Sequence, residues 1–365
     1  LRIPRYLHES NVLPGAANKL ASKLATKVFV AFDASIKHFA EGKCEDVGMP
    51  IRENITDINY NGKHLWIDHL TKGRYCEYFD EEDFIKQFCF KMANYVNCSF
   101  NITSPIIEAE TKDLRISILH ESIAKSGHSI SIRKTPAVLR LNDKKMTKEK
   151  YANTEVLKLL KRMVENHCNI IISGLPSSGK TELVKYLTQF IPETERIITI
   201  EDTLELRAHD IFEEKDIVAL RVSDRFTYID AIKASLRQRP NWILVSEVRS
   251  HEVIHLLESI STGTHLISTI HAYDATKIPK RILHMMKDTD ISNSVILNNI
   301  HESIDFGIHL EASVKDTGIK RSIKQIVCFD IENDEAKTSI IYDGKLHLEN
   351  LPTNKRKKLK LENKK

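Results

Sequence analysis

No apolar run in this 365-residue chain approaches the ~20 residues needed to cross a bilayer. The N-terminus also lacks the charged, apolar and small-residue series of a secretory signal. A cytoplasmic location is therefore the expectation. The six cysteines (Cys44, Cys76, Cys89, Cys98, Cys168 and Cys328) form no C-x-x-C pair and have no partner histidines at zinc spacing. Reduced, structural thiols are expected, and His167 beside Cys168 makes no catalytic pair, because sequence neighbours in a helix or strand do not face each other. There is no internal repeat, and no low-complexity segment before the C-terminal tail. The body also lacks a strong charge of either sign. From Pro352 onward seven Lys and Arg residues stand against one acid, Glu362, a net of +6, which leaves −2 for the rest of a chain whose total is +4. A basic, aromatic-bearing track for single-stranded nucleic acid is thus missing from the body.

What is present is an ordinary globular composition, 41% hydrophobic and 28% charged, which excludes a mainly disordered chain. The length suggests about two domains of 100 to 200 residues each. Residues 15–41 hold few breakers, and Leu20, Leu24, Val28 and Val30 predict one amphipathic helix in an N-terminal helical extension, residues 1–54. Short β-rich runs (58–60, 65–67, 114–119 and 129–132) around a helix at 82–96 predict a small α+β domain over 55–141. The polar run 142–150 opens a linker, 142–155. From 156 to 335 helix and strand alternate, which predicts a parallel sheet covered by helices on both faces. A C-terminal extension with the basic tail completes the chain, 336–365. The fold class is α/β with a smaller α+β N-terminal domain.

The most specific motif is Gly174-Leu175-Pro176-Ser177-Ser178-Gly179-Lys180-Thr181, between the apolar run 169–173 and a helix-forming run from Glu182. A loop with this spacing turns successive backbone N–H groups toward phosphate at a helix N-terminus. Gly174 and Gly179 permit close backbone approach, Lys180 reaches the β- and γ-phosphates, and Thr181 supplies a hydroxyl to Mg²⁺. With Ser177, Ser178 and Glu182 these residues form the expected binding set for a nucleoside triphosphate. A P-loop alone leaves kinase, GTPase, helicase and transport ATPase open.

Later segments narrow the choice. Trp242 to Val245 is an apolar strand followed by Ser246 and Glu247, which brings a carboxylate to the end of a strand where Mg²⁺ and an attacking water would lie. Residues 198–205 end another strand in the acidic cluster Glu201, Asp202 and Glu205, able to orient metal-bound water. A third strand leads through Ser268 and Thr269 to His271, placed to sense a γ-phosphate. Arg115, Arg133, Arg237, Arg239 and Arg249 are candidates to stabilise phosphoryl charge.

Together these residues resemble the secretion and conjugation traffic ATPases of type II secretion, type IV secretion and type IV pili. The acidic box is similar to Ile200-Glu201-Asp202-Thr203-Leu204-Glu205, the Walker B region to 236–249, and the histidine box to 262–272. The segments 104–109 and 131–134, with Arg115 and Arg133, look like the family's N-terminal stretches whose arginines reach the nucleotide. This chain has Ser246 where the family commonly has Gly. It also has Thr264 after Gly263, with His265 one place later, while His271 keeps its spacing. The zinc-binding cysteines of some type II members are absent, which leans toward the conjugative, type IV branch.

The resemblance implies a RecA-like P-loop domain and Mg-ATP bound between two domains, with Lys180, Glu247, Glu201 and His271 catalytic and Thr181 and Glu247 serving Mg²⁺. Arg115, Arg133 and Arg237 would touch the nucleotide. It further implies a homohexamer at the inner face of the cell membrane, driving transfer of DNA or protein, or pilus assembly, with membrane-embedded secretion or conjugation channel subunits as partners. A helicase-like nucleic-acid motor and a non-catalytic ATP-binding assembly component are the alternatives.

Overall fold

The computed structural model describes residues 6–9, 16–30, 33–40, 42–46, 55–70, 72–79, 81–111, 113–286, 292–315 and 318–361. The chain divides into two compact units, residues 1–136 with 314–319, and residues 137–313 with 320–365.

In the first unit, β1 (Tyr6–Glu9), β2 (Lys27–Val30) and β3 (Cys44–Asp46) form a small parallel sheet, with α1 (Ala16–Ser22) between the first two. The single helix expected over 15–41 is not formed. Val28 and Val30 are fully buried at period two, the β-branched pattern of a strand. Leu20 and Leu24, expected on a helix's buried face, are 68% and 70% exposed.

An antiparallel sheet follows, built from β4 (Ile55–Tyr60), β5 (His64–His69), β6 (Gly73–Tyr78), β7 (Ile106–Glu110), β8 (Leu114–Leu119) and β9 (Ser129–Lys134), in the order β6-β5-β4-β9-β8-β7. The helix α2 (Glu82–Tyr95) buries Ile85, Cys89, Met92 and Ala93 in one core with Ile107, Leu114, Ile116 and Ile118. Because side chains alternate across a strand, the face opposite these isoleucines is left exposed at Arg115 and Arg133.

The second unit opens with α3 (Asp143–Lys148) and α4 (Thr154–Glu165). The segment read as a linker is folded here: Met146, Tyr151 and Ala152 are buried in the unit's core, and Asn142 and Asn153 cap the two helices. Then come β10 (Ile170–Gly174), α5 (Lys180–Thr188), β11 (Ile197–Glu201), α6 (Ala208–Ile211), β12 (Ile217–Arg221), α7 (Tyr228–Leu236), β13 (Trp242–Val245), α8 (Glu252–Ser261) and β14 (His265–Ile270). After α9 (Ile278–Met285) and α10 (Asn293–Ser303), β15 (Phe306–Lys315), β16 (Gly318–Glu332) and β17 (Glu335–Tyr342) extend the same sheet, and α11 (Thr353–Lys358) ends the described elements.

The sheet order is β12-β11-β13-β14-β10-β15-β16-β17, parallel from β12 through β15 and antiparallel between β16 and β17. Alternation divides the strands between two cores. Ile170, Ile172, Ile197, Trp242, Leu244 and Ile267 face α4 and α5, while Ile171, Ile198, Ile200, Ile243, Val245 and Leu266 face α7 to α10. Strands buried on both faces read as unbroken apolar runs, which is why the sequence shows them. The C-terminal ends of β11, β13, β14 and β10 therefore meet at one sheet edge, in that spatial order. They carry Glu201, Glu247, His271 and the loop after Gly174.

The tail is anchored at two points within residues 353–361, while Thr353, Asn354, Lys357, Lys358 and Lys360 are exposed. Lys355 is buried with Nζ 2.6 Å from Asp305 Oδ1, Lys358 Nζ is 2.8 Å from Asp305 Oδ2, and Leu359 is fully buried. Lys364 and Lys365 lie outside the described residues.

Candidate active site

The chain leaves β10 through Gly174, where any side chain would collide. A Cβ there would stand 2.5 Å from Ser178 Oγ and 2.8 Å from the Leu310 carbonyl oxygen. Ser177 (φ 62°) and Gly179 (φ 93°) then take left-handed conformations, and strain of this kind in a non-glycine residue collects at functional loops. Lys180 begins α5. Its ammonium donates to the carbonyls of Gly174 (2.9 Å) and Leu175 (3.3 Å). Burial lowers its pKa, and the charges of Glu247 and Glu205 pull the other way. The Ser178 hydroxyl is buried without a partner among the described residues.

Beside the loop, His271 joins it to Glu247. Its Nδ1 is 3.3 Å from Lys180 Nζ and 3.2 Å from Gly174 O, and its Nε2 is 2.8 Å from Glu247 Oε1. Nε2 thus faces a carboxylate acceptor, while Nδ1 faces both the Lys180 ammonium and the Gly174 carbonyl. The second Glu247 oxygen accepts from Arg249 Nε (3.0 Å) and Nη2 (2.8 Å), and Arg249 Nη1 donates to Asp202 Oδ2 at 2.7 Å. The Arg249 backbone is fixed in turn by Glu252, whose Oε1 accepts from the Arg249 and Ser250 amides. Ser246 sits in the strand-end network: its carbonyl accepts from Thr269 Oγ1 at 2.6 Å and its hydroxyl lies 3.4 Å from Tyr228 Oη.

Glu201 and Glu205 divide the labour of the acidic box. Glu201 is fully buried, and its Oε2 accepts from the amides of Glu205 (2.9 Å) and Leu206 (2.8 Å). Burial pushes its pKa up to about 7, against the lowering effect of those amides. Glu201 therefore braces a turn, and that turn presents Glu205, whose Oε2 accepts from Thr181 Oγ1 at 3.4 Å. Thr181 and Glu205 supply hard oxygen donors of the type Mg²⁺ takes. No group of three or more His, Cys, Asp or Glu residues shaped for a metal is found among the described residues. Glu182 spends one oxygen on the buried Lys185, 3.1 Å away.

Other expected residues lie elsewhere. Arg237 and Arg239 are exposed at the C-terminal end of α7, beside Gln238 and Asn241, which bond Arg196 just before β11. That is the sheet edge opposite the loop. His265 begins β14 at the same far edge, 4.5 Å from the ring of His167 and 5.2 Å from that of Trp242. Burial, with His167 adding repulsion, lowers its pKa to about 4. In the first unit Arg115 and Arg133 stand directly opposite each other on β8 and β9, and Arg133 Nε bonds Asp57 Oδ1 at 2.8 Å. Like charges so placed repel, so the pairing needs its acidic neighbours. Glu205 was visible in the sequence only as the last letter of the acidic box. Its role beside Thr181 was not.

Residues 101–312, more than half of the chain, match the family model described as Type II/IV secretion system protein. An uncharacterized protein of Bacillus anthracis is 30% identical over 270 residues, 73% of this chain and 61% of that protein, so the chain spans less than two thirds of this relative's length. The probable conjugal transfer protein TrbB of Sinorhizobium fredii is 28% identical over 189 residues, 48% of this chain and 55% of the relative. Among solved structures, the ATPase DotB of Legionella pneumophila superposes with a TM-score of 0.58 at 17% identity, covering 76% of this chain and 78% of that one. At that identity the likeness concerns the fold, which is α/β and RecA-like with a separate N-terminal domain.

Proposed function

The chain belongs to the Type II/IV secretion system protein family, and from that premise we propose that it is a Mg²⁺-dependent ATPase whose hydrolysis powers transfer of DNA or protein, or pilus assembly, through a membrane-associated machine. The reading is carried by one observation, the unbroken line of polar contacts from Lys180 through His271 to Glu247 beside a P-loop. The conjugative, type IV branch is favoured by the likeness to TrbB. Family membership also supports a homohexamer, held peripherally at the inner face of the cell membrane by channel subunits. Among the described residues no helix is long and apolar enough to cross a membrane.

In this reading the loop amides from Ser177 to Glu182 receive the phosphates, and Lys180 leaves its carbonyls for the β- and γ-phosphates. Thr181, with the carboxylates of Glu205 and Glu247, would hold Mg²⁺, which neutralises charge on the phosphate oxygens. Glu247 orients the attacking water and accepts its proton as the new oxygen–phosphorus bond forms and the β–γ bridge breaks. Arg249 holds Glu247 in place, and His271 links the state of Lys180 to Glu247.

Phosphate release is the deciding measurement. The wild type should turn over ATP when Mg²⁺ is supplied, and Lys180→Ala, with an unchanged circular dichroism spectrum, should not. Turnover retained by Lys180→Ala would remove the site assignment. Light scattering with and without ATP tests the hexamer, and a monomer under both conditions would reject the ring.

A further inference from the structure

Arg321, on β16, is 144 residues away from Ser177 in sequence and lies against the loop. Its Nε donates to the Ser177 carbonyl at 3.0 Å. Its Cδ would be 3.3 Å from a Cβ placed on Gly179, so the missing side chain there makes room for the arginine. The Nε bond uses one of five donors in the guanidinium fork. Among the described residues the two terminal nitrogens have no hydrogen bond and no ion pair, although the side chain is half-buried. Burial lowers the arginine's pKa, while Tyr151, Glu182 and Glu149 act in the opposite sense and Arg140 adds repulsion.

The surroundings fix this side chain. The Ile323 amide, two residues along β16, donates to the Tyr151 carbonyl at 2.8 Å, which ties the strand to the segment entering α4. Tyr151 Oη, Glu182 Oε2 and Ser178 Oγ are all buried without partners among the described residues. The terminal nitrogens of this half-buried guanidinium stay open to solvent beside the loop just before Lys180, where an anion can reach them. Its planar fork matches phosphate oxygens.

We infer that Arg321 is a phosphate ligand of the P-loop, supplied by the same chain, that binds the diphosphate part of the nucleotide through its terminal nitrogens while Nε holds the loop. This inference rests on the nucleotide-binding reading above. It assigns binding to a strand outside the P-loop, the acidic box and the Walker B and histidine segments.

The test is calorimetric binding of ADP, inorganic pyrophosphate and adenosine to the full chain and to Arg321→Ala, Arg321→Lys and Lys180→Ala. Losing one charge-assisted contact should weaken ADP and pyrophosphate by roughly tenfold or more in Arg321→Ala. Adenosine binding should not move, and Arg321→Lys should recover only part of the loss, because an ammonium can replace the bond to Ser177 but not the fork. Two outcomes overturn the assignment. One is ADP and pyrophosphate affinity within twofold of wild type in Arg321→Ala. The other is complete recovery in Arg321→Lys, which would make Arg321 a loop anchor only. If the wild type binds ADP no better than Lys180→Ala does, the nucleotide reading itself fails, a result distinct from equal binding by wild type and the Arg321 variants.

Discussion

His271 places Nε2 2.8 Å from Glu247 Oε1, and its other nitrogen faces the P-loop lysine at 3.3 Å. The two residues end adjacent parallel strands, so the distance is set by the sheet rather than by a flexible loop. In the proposed mechanism, a phosphate that draws Lys180 away from His271 Nδ1 is felt at Glu247 through this imidazole.

Glu247→Gln should reduce phosphate release by roughly 10²–10⁴-fold, the range for a lost general base, while ADP affinity stays close to wild type. His271→Ala should lower turnover in the same direction with less effect on affinity. Single-turnover kinetics beside calorimetry check both, and undiminished turnover in Glu247→Gln would place the proton acceptor elsewhere.

Glu201 carries a pH dependence of stability. Its folded pKa of about 7 lies above the ordinary value of 4.5. Between these values the folded chain binds a proton the unfolded chain does not, so its favourable contribution is present below pH 4.5 and is lost as pH rises through 7. Glu201→Gln should therefore raise the melting temperature at pH 8, by up to about 3 kcal/mol of stability at ~1.4 kcal/mol per pKa unit. A lower melting temperature at pH 8 would show that the charge, rather than the shape, of Glu201 holds the turn.

His265 acts in the opposite sense. With its folded pKa near 4, below the ordinary 6.5, it stays neutral in the folded chain. Its contribution is complete above pH 6.5 and lost as pH falls through 4. His265→Phe keeps a ring against His167 and Trp242 and removes the titration, so the fall in melting temperature from pH 7 to pH 5 should be smaller than in wild type. Turnover should change little, since this residue lies at the far sheet edge. An unchanged pH slope would count against the buried neutral histidine.

Asp305 accepts from Lys355 Nζ, Lys358 Nζ and the Asn169 amide, the last at 2.7 Å. Asp305→Ala strands a buried lysine and should cost about 3–5 kcal/mol, the usual effect of breaking a buried pair from one side. Urea denaturation measures this, and a loss below 1 kcal/mol would mean that the C-terminal helix is not latched by this pair.

The P-loop, the strands that carry Glu247 and His271 and the helices between them were legible because each is written in consecutive residues. A strand buried on both faces needs an apolar run, and a phosphate loop needs its glycines, lysine and hydroxyl at fixed covalent spacing. Helix and strand were confused over 15–41 because Leu20, Leu24 and Val28 stand four residues apart, as on a helix, whereas Val28 and Val30 are buried at period two, as on a strand. The anchoring of the basic tail was not legible because the counter-charge, Asp305, is 50 residues from Lys355.

By itself, then, the sequence determined the phosphate loop, the alternation of strands and helices and the acidic and histidine segments at strand ends. Tertiary structure alone decided which of these meet. Parallel pairing put Glu201, Glu247, His271 and Gly174 at one edge and sent His265, Arg237 and Arg239 to the other. The turn braced by Glu201 brought Glu205 to Thr181, and β16 laid Arg321 on Ser177. The reason is physical: local spacing sets backbone conformation, but contacts between residues far apart in the chain depend on strand order and register, which no short stretch of sequence encodes.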